Sequence, residues 1–444
     1  MEASENRSAR ASGNRLKIGV ISDLHLGGKW GTPLEDDSFR QANEAIEKIL
    51  QAKAQLILVL GDIFDTRIPR QEVWARAMRI LALPLSVGKS DLKFREAVGK
   101  KPEEISKISM MGVPVVALHG NHERRVKGLI NPVEALEAAG FLIHLHANAV
   151  VFDTPAGRLA IHGLSNVPER HAKNVLSVWN PRPMDGAHNI LILHQAIGQY
   201  VYSSEESPSL SLEDLPRGFD IYLCGHVHCR AEAQAHGRPL LIPGSLVRTQ
   251  LLQAEAQLPK GFYLMEIGEG IRYEFVELQN VRDFYYEEMI FENADVAKLN
   301  SGVRSKLNEL LQKPRRNPDQ LPLVRLKLKG TLAKGVSRGD FEQTLIANEF
   351  ADRAIVYIDK DELTAPGVEE KVKFLRDLRE HHQPVDEMAM RLLEVNLREM
   401  GYNQMLDFRM IYDLVAEDRL DEAFSKVIEL SQKMAEGELR VRKS

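Results

Sequence analysis

The sequence repeats one arrangement, in which a short apolar stretch is followed at once by an acidic residue, an asparagine or a histidine. KIGVIS precedes Asp23 and His25, and QLILVL precedes Gly61 and Asp62. The later stretches are followed by Asn121, by His194 and by the pair His226 and His228. Apolar residues at helical spacing separate the early stretches. Because strands that alternate with helices indicate a layered α/β domain, whose site is built by loops beyond the carboxyl ends of the strands, we expect these side chains to meet at one edge.

The residue types in this set predict a metal site, although each motif taken singly is common by chance. The set is Asp23, His25, Asp62, Asn121, His194, His226 and His228. Carboxylate, amide and imidazole ligands without a thiolate suit Mn²⁺, Fe²⁺ or Zn²⁺ and disfavour Ca²⁺. So many ligands exceed the needs of one ion with an open position, but they suit two ions about 3.5–4 Å apart that share a carboxylate, as in phosphoester displacement. The only cysteines, Cys224 and Cys229, exclude a disulfide scaffold.

In their order, the motifs DLH, GDIFD, GNHE, H and GHVH resemble the calcineurin-like metallophosphoesterase superfamily. ISDLHLG, GDIFDTR, VALHGNHE and CGHVH…IPGSL are similar to its double-strand-break repair branch, the archaeal and eukaryotic "meiotic recombination eleven" nucleases with their bacterial SbcD relatives. The resemblance covers about residues 15–280, and more loosely 281–362. It implies a four-layer α/β/β/α sandwich with a small α+β capping domain and a C-terminal helical segment that binds an ATPase.

The resemblance also implies roles for individual residues. One ion would be held by Asp23, His25, Asp62 and His228, and the other by Asp62, Asn121, His194 and His226, with Asp62 as the bridge. His122 would not be a ligand but would protonate the leaving oxygen or stabilise charge on the phosphate. Asp65 would orient His122, or it is an ordinary turn residue. The superfamily usually has aspartate where this chain has Glu123.

Basic residues beside the motifs make DNA the expected substrate. They are Arg67, Arg70, Arg124, Arg125 and Lys127. Any one of them is explained as well by a solvated loop, but as a group they lie where phosphate contacts would position DNA. The formal net charge of −5 means that a DNA surface must be local. A second basic run lies between residues 298 and 338, with eleven Lys and Arg against two acids.

The sequence divides into segments of different composition. We expect a disordered tail at 1–14, the nuclease domain at 15–280, a DNA-binding capping domain at 281–362, a linker at 363–384 and a helical ATPase-binding segment at 385–435. The apolar residues of that segment that we expect to bind the partner are Leu393, Leu397, Phe408, Ile411, Tyr412, Val415, Phe424 and Ile428. By resemblance the partner is an SMC-like coiled-coil repair ATPase of the SbcC type, and the chain forms a homodimer.

These observations predict a manganese-dependent DNA nuclease with two Mn²⁺ ions per chain, acting on DNA ends in double-strand-break repair. The resemblance implies single-strand endonuclease and 3′→5′ double-strand exonuclease activity. Two alternatives stay open: a phosphodiesterase or phosphatase for a substrate other than DNA, and a scaffold that binds DNA ends and an ATPase without catalysis. Because no apolar run approaches the roughly 18 residues of a membrane span, we expect a soluble, cytoplasmic and nucleoid-associated protein.

Overall fold

A computed structural model describes residues 15–88, 90–125, 128–202, 208–364, 408–416 and 419–435. The expected tail at 1–14, nearly all of the expected linker and the residues Leu393 and Leu397 lie outside these ranges. The described residues divide into two compact units. The first unit comprises the described residues within Met1–Met289, together with Asn300–Leu328 and Glu342–Asp359. The second unit comprises Ile290–Leu299, Lys329–Phe341 and the described residues within Lys360–Ser444.

The secondary structure alternates between strands and helices over the first half of the chain and is richer in strands later. The strands are β1 (Leu16–Ile21), β2 (Leu56–Val59), β3 (Lys93–Val98), β4 (Val115–Ala117), β5 (Ile143–His144), β6 (Asn148–Thr154), β7 (Gly157–Leu164), β8 (Ala187–His194), β9 (Ile221–Gly225), β10 (Ala231–Ala235), β11 (Arg238–Ile242), β12 (Gly261–Ile267), β13 (Ile271–Glu277), β14 (Phe284–Ala294), β15 (Leu323–Leu332) and β16 (Ile355–Thr364). The helices are α1 (Asp37–Gln51), α2 (Gln71–Ser86), α3 (Pro132–Ala138), α4 (Glu169–Trp179), α5 (Gln253–Gln257), α6 (Val296–Leu311), α7 (Gln343–Glu349), α8 (Phe408–Ala416) and α9 (Leu420–Ala435).

Two sheets form the body of the first unit. One has the strand order β13-β12-β1-β2-β4-β5, and the other has the order β10-β11-β9-β8-β7-β6-β3. Alternate residues of a strand point to opposite faces of its sheet. Ile18 and Val20 of β1 therefore pack with Phe152 and Ile161 of the second sheet, whereas Ile21 packs with Phe39 and other residues on the helical side.

Helices cover the outer faces of both sheets. Residues of α1 and α2 bury their apolar sides against the first sheet, and residues of α4 bury theirs against the second. The expected four-layer α/β/β/α sandwich is therefore confirmed. The strand β3, at one edge of the second sheet, was not predicted, because KFREAV alternates too little between apolar and polar residues to stand out.

The later part of the chain contains a three-stranded sheet of order β14-β15-β16, together with α6 and α7. The strand β15 lies between β14 and β16. That residues 281–362 form a DNA-binding capping domain stays a prediction. Within the described ranges, no helix combines the length and the apolar character that a membrane crossing requires.

The topology of the sheets positions the polar loops. The strands β1, β2 and β4 are parallel, as are β8 and β9, so their carboxyl ends point the same way within each sheet. The pairing of β1 with β2 continues beyond the strands: the backbone N–H of Asp23 donates to the carbonyl of Gly61, and that of His25 to the carbonyl of Asp62. The first two polar motifs are therefore held side by side.

Candidate metal centre

Four of the expected ligands converge on one point. Asp23, His25, Asp62 and His228 each place one ligand atom within 4.8 Å of the others, and all four side chains are buried. The Nε2 atoms of His25 and His228 are 3.0 Å apart. Nε2 of His228 lies 3.7 Å from Oδ1 of Asp23, and Nε2 of His25 lies 4.0 Å from Oδ2 of Asp62.

The remaining three expected ligands lie on the other side of Asp62. Nε2 of His194 is 3.4 Å from Oδ2 of Asp62 and 3.3 Å from Oδ1 of Asn121. Nδ1 of His226 is 3.1 Å from the same oxygen of Asn121. The structure therefore brings all seven side chains together and places Asp62 between the two groups.

Hydrogen bonds to the far sides of the rings show which nitrogen faces inward. Nδ1 of His194 donates to the carbonyl of Leu60 at 2.6 Å, and Nδ1 of His25 donates to Oδ1 of Asp65 at 2.9 Å. Since a neutral imidazole carries one proton, Nε2 of each ring then presents a lone pair to the centre. The lone pair of His194 faces oxygens of Asp62 and Asn121, and that of His25 faces Nε2 of His228 and, at 4.0 Å, Oδ2 of Asp62. Such an arrangement fits a cation.

The bridging carboxylate gives a second test of this fit. Oδ1 of Asp62 accepts the backbone N–H of His122 at 3.0 Å, whereas the buried Oδ2 has no hydrogen-bond partner in the part of the chain that the structure describes. A buried carboxylate oxygen without a donor is costly unless a cation neutralises it. The orphaned oxygen lies between the two groups of ligands, so the residues present fit a divalent metal at this position.

Backbone strain is concentrated on the same residues. Asp23, His25, Asp62 and His226 have φ values of +51°, +46°, +47° and +82°, a region that side-chain-bearing residues rarely adopt. Each such conformation costs on the order of 1–3 kcal/mol and persists where the surroundings impose it, typically at functional sites. Gly120 allows the third loop to come close, because a Cβ there would overlap Oδ1 of Asp62.

Neighbouring opposite charges at the centre stabilise the ionised forms of Asp62 and His194. Burial alone would raise the pKa of the Asp62 carboxyl, but the positive charge of His194 with those of His25 and His122 holds that pKa well below its usual value. Burial alone would lower the pKa of His194, whereas the charge of Asp62 raises it to about 9. The site thus favours cations beside Asp62, whether protons or metal ions.

The carboxylate of Asp65 forms its hydrogen bond with a histidine other than the one expected. It bonds to His25 rather than to His122, from whose Nδ1 it lies 3.7 Å away. Nδ1 of His122 instead donates to the backbone carbonyl of Asp65 at 2.9 Å. The two side chains therefore lie within ion-pair distance without a direct hydrogen bond, and the role of Asp65 in orienting His122 stays a prediction. Asp65 still fixes the orientation of a ring at the centre.

Glu123 connects two of the loops. Its carboxylate is fully buried and accepts the backbone N–H groups of Phe64 at 2.7 Å and of Gly120 at 2.9 Å. Burial, with the charge of nearby Asp62, raises the pKa of Glu123 to about 8. The acid that departs from the superfamily pattern therefore joins the loop of Asp62 to the loop of Asn121.

The sequence did not indicate which residues hold the ring and the backbone of His228 in place. Its Nδ1 lies 2.5 Å from Oγ1 of Thr249, and the buried Lys260 donates to its backbone carbonyl. Thr249 and Lys260 come after the GHVH motif in an unremarkable stretch of sequence. Only the hydroxyl of Thr249, following IPGSL, could have suggested a partner for a ring nitrogen.

The basic residues near the centre fall into two groups. Arg67 and Arg70 are exposed, whereas Arg124 donates to Oδ1 of Asn166 and Arg125 to the carbonyl of Ile130. Lys127 lies outside the described residues. Their role in DNA binding stays a prediction.

The apolar residues expected to bind a partner are described only in part. Tyr412, Val415, Phe424 and Ile428 have exposed fractions of 42%, 49%, 68% and 43%. Ile411 is half-buried. The side chain of Phe408 lies outside the described part, as Leu393 and Leu397 do entirely.

Comparison with known proteins agrees with this geometry. Residues 16–230 match the family model described as calcineurin-like phosphoesterase. Together, this match, the two-sheet fold and the Asp and His cluster define the region as a calcineurin-like metallophosphoesterase domain, and the class inferred from the motifs is confirmed.

More specific relatives come from the same branch. The chain is 28% identical over 297 residues to the DNA double-strand break repair protein Mre11 of Methanopyrus kandleri, covering 62% of this chain and 59% of that protein. It is 27% identical to the double-strand break repair protein MRE11 of Encephalitozoon cuniculi, covering 63% and 50%. The Mre11 of Sulfurisphaera tokodaii is 25% identical over 427 residues, covering 92% and 94%. The chain thus spans about half to three fifths of the length of the first two.

Proposed function

We propose that this protein is a Mn²⁺-dependent DNA nuclease that processes DNA ends in double-strand-break repair, with single-strand endonuclease and 3′→5′ double-strand exonuclease activity. The observation that carries the proposal is the orphaned Oδ2 of Asp62, which lies between two groups of inward-facing ligand atoms. Similarity to proteins named for double-strand-break repair supports the choice of DNA among phosphodiester substrates.

In this proposal, Asp23, His25, Asp62 and His228 hold one Mn²⁺ ion, and Asp62, Asn121, His194 and His226 hold the other. Two such ions supply positive charge for the scissile phosphate and lower the pKa of water. The protein contributes the position of these ligands. Leu60, Asp65 and Thr249 hold the rings of His194, His25 and His228 from behind, which fixes the nitrogen that each ring presents.

His122 is the proposed general acid. It is none of the seven ligands, and its side chain is 32% exposed at the centre. Its Nδ1–H is held by the carbonyl of Asp65, so a protonated ring presents Nε2–H toward the site. His122 can therefore hold a proton for the leaving sugar oxygen.

The path of DNA is proposed to follow the exposed Arg67 and Arg70, with the basic residues of the three-stranded sheet as a second contact. Phosphate contacts of this kind position the backbone without reading sequence. We also propose that α8 and α9, with their exposed Tyr412, Val415, Phe424 and Ile428, form part of the docking site for an SMC-like coiled-coil ATPase. The homodimer and the association with the nucleoid belong to the same proposal.

The test compares three substrates in Mn²⁺: circular single-stranded DNA, end-labelled duplex DNA and bis-p-nitrophenyl phosphate. We expect nicking of the circle and release of nucleotides from 3′ ends, with His122→Ser as the inactive control. Efficient hydrolysis of the small diester with both DNAs left intact would assign the centre to another phosphoester. No turnover of any substrate in Mn²⁺ would contradict the enzymatic proposal.

A further inference from the structure

His228 is held at two points by residues that follow it in the chain. Its Nδ1 lies 2.5 Å from Oγ1 of Thr249, while its Nε2 faces the other ligands. A neutral imidazole carries one proton, so a bond from Nδ1 to the hydroxyl leaves a lone pair on Nε2. The backbone carbonyl of His228 accepts Nζ of Lys260 at 3.1 Å and the backbone N–H of Ser245 at 3.2 Å. The ring and the backbone of this ligand are therefore both fixed from outside the metal centre.

The loop that presents Thr249 is organised by a buried carboxylate. Oε1 of Glu255 accepts the backbone N–H of Thr249 at 3.1 Å, and Oε2 accepts those of Gln250 and Leu251 at 2.9 and 2.7 Å. Leu251 has a φ of +56°, which a side-chain-bearing residue adopts where its surroundings impose it. Glu255 therefore fixes the shape of the loop and, with it, the position of the Thr249 hydroxyl.

Lys260 closes these contacts into a ring. Its Nζ lies 3.2 Å from Oε1 of Glu255, the oxygen that also holds the backbone of Thr249, and it donates to the carbonyl of His228. Glu255 and Lys260 are 1% and 3% exposed, and hydrogen bonds away from water are electrostatically stronger than exposed ones. His228, Thr249, Glu255 and Lys260 all belong to the first compact unit. A change in any of the last three residues should therefore alter the orientation of His228.

A ring in the other group of ligands is held in a different way. Nδ1 of His194 donates to the backbone carbonyl of Leu60 at 2.6 Å, so its support comes from a buried strand end rather than from a side chain. His228 is one of the four ligands that converge on the first point. A change at Thr249 should consequently affect one ion position and leave the other as it is.

We infer that Thr249, held in place by Glu255 and Lys260, is a positioning residue for His228 and sets the affinity of only one of the two metal ions. The inference rests on the proposed two-ion centre. Residues behind a metal-binding histidine typically contribute about 10- to 100-fold to metal affinity, because they fix which nitrogen faces the ion and how the ring is turned. A purely structural contribution would instead weaken both ions together.

The test measures Mn²⁺ binding to the metal-free, full-length protein by titration calorimetry, without DNA. Thr249→Val keeps the shape of the side chain and removes the hydroxyl, so it should weaken one ion by about 10- to 100-fold and leave the other unchanged. Thr249→Ser restores a hydroxyl and should recover the wild-type affinities. The matched control is Thr154→Val, which removes a hydroxyl that bonds to the carbonyl of Gly157 in the turn between β6 and β7. It should bind both ions as the wild type does.

The possible results separate this inference from the proposed function. Wild-type affinities for both ions in Thr249→Val, or equal weakening of both, would overturn the inference and leave the two-ion nuclease intact. A wild-type protein that binds no Mn²⁺ would contradict the proposed metal centre itself. Failure of Thr249→Ser to recover the affinity would show that the hydroxyl is not the group that acts.

Combined variants identify the ion that is affected. If Thr249 acts through His228, Thr249→Val should have no further effect on Mn²⁺ affinity in a His228→Ala background. In a His194→Ala background, which removes a ligand of the other ion, it should keep its full effect, because independent sites contribute additively. The opposite pattern would refute the assignment.

The ion pair is tested in the same assay. Lys260→Met, titrated at a temperature at which circular dichroism shows it to be folded, should weaken the same ion as Thr249→Val. Unchanged Mn²⁺ affinity in the folded Lys260→Met protein would overturn the role assigned to Glu255 and Lys260. The Thr249 variants leave the ion pair in place, so they decide the central claim even if Lys260→Met does not fold.

Discussion

Breaking a buried ion pair behind the metal centre is predicted to be one of the most destabilising single changes in the first compact unit. Glu255 and Lys260 are 1% and 3% exposed, and Oε1 of Glu255 lies 3.2 Å from Nζ of Lys260. Glu255 also accepts the backbone N–H groups of residues 249–251, at 2.7 to 3.1 Å. Lys260 donates to the carbonyl of His228 and to Ser245. The pair therefore anchors the segment that carries Thr249 and His228.

The opposite charges of Glu255 and Lys260 offset each other, so removing one of the two should lower the free energy of unfolding. Burial would raise the pKa of Glu255, but the charge of Lys260 and the backbone N–H groups of Thr249 and Leu251 hold that pKa below its usual value. Lys260→Met should leave a buried carboxylate without its cation and lower the free energy of unfolding by about 3–5 kcal/mol. The double variant Glu255→Gln with Lys260→Met contains neither charge. It should be destabilised by at least about 2 kcal/mol less than the sum of the two single variants, because the partners are in contact.

Urea unfolding followed by tryptophan fluorescence measures this effect. Trp30, Trp74 and Trp179 are the three tryptophans of the chain, and all lie in the same compact unit as the pair. The control is Arg304→Met, which breaks an ion pair with Glu349 whose side chains are 41% and 46% exposed, and it should leave the midpoint unchanged. Additive single and double variants, or a Lys260→Met midpoint equal to that of the wild type, would refute the reasoning.

Three further predictions concern the metal centre and the tail. Asp62→Ala should lose both ions with the fold intact, because each ion loses a ligand and their mutual repulsion is no longer screened; elemental analysis that still finds two tightly bound ions per chain would rule out the bridge. His122→Ser should leave Mn²⁺ content and DNA affinity largely unchanged and slow cleavage by about 10²–10⁴-fold, the usual contribution of general acid–base catalysis, so near-normal turnover would exclude it as the acid. Truncation after Leu363 should keep single-strand endonuclease activity but lose ATPase binding and ATP-stimulated digestion of duplex ends; undiminished co-purification with the ATPase would place the docking site elsewhere.

The sequence was sufficient to predict the layered fold and the group of residues at the centre. Apolar stretches such as QLILVL form buried strands largely because of their own composition, and the polar residue that follows each stretch is placed at a strand end by chain order alone. Parallel pairing then brings Asp62 beside Asp23 without further information. The four layers were expected from the resemblance to metallophosphoesterases, whereas the apolar stretches by themselves indicated only a layered α/β domain.

The tertiary structure determined which hydrogen-bond partner each of these side chains has. Asp65 bonds to His25, 40 residues away, rather than to His122, because a turn of the backbone directs a carbonyl where a carboxylate was expected. Thr249 supports His228 from 21 residues further along the chain. A hydrogen bond depends on ångström-scale distances between atoms far apart in the chain, and no local pattern encodes such distances. The sequence alone therefore determined which chemical groups are available, and the packing of the two sheets determined how they are paired.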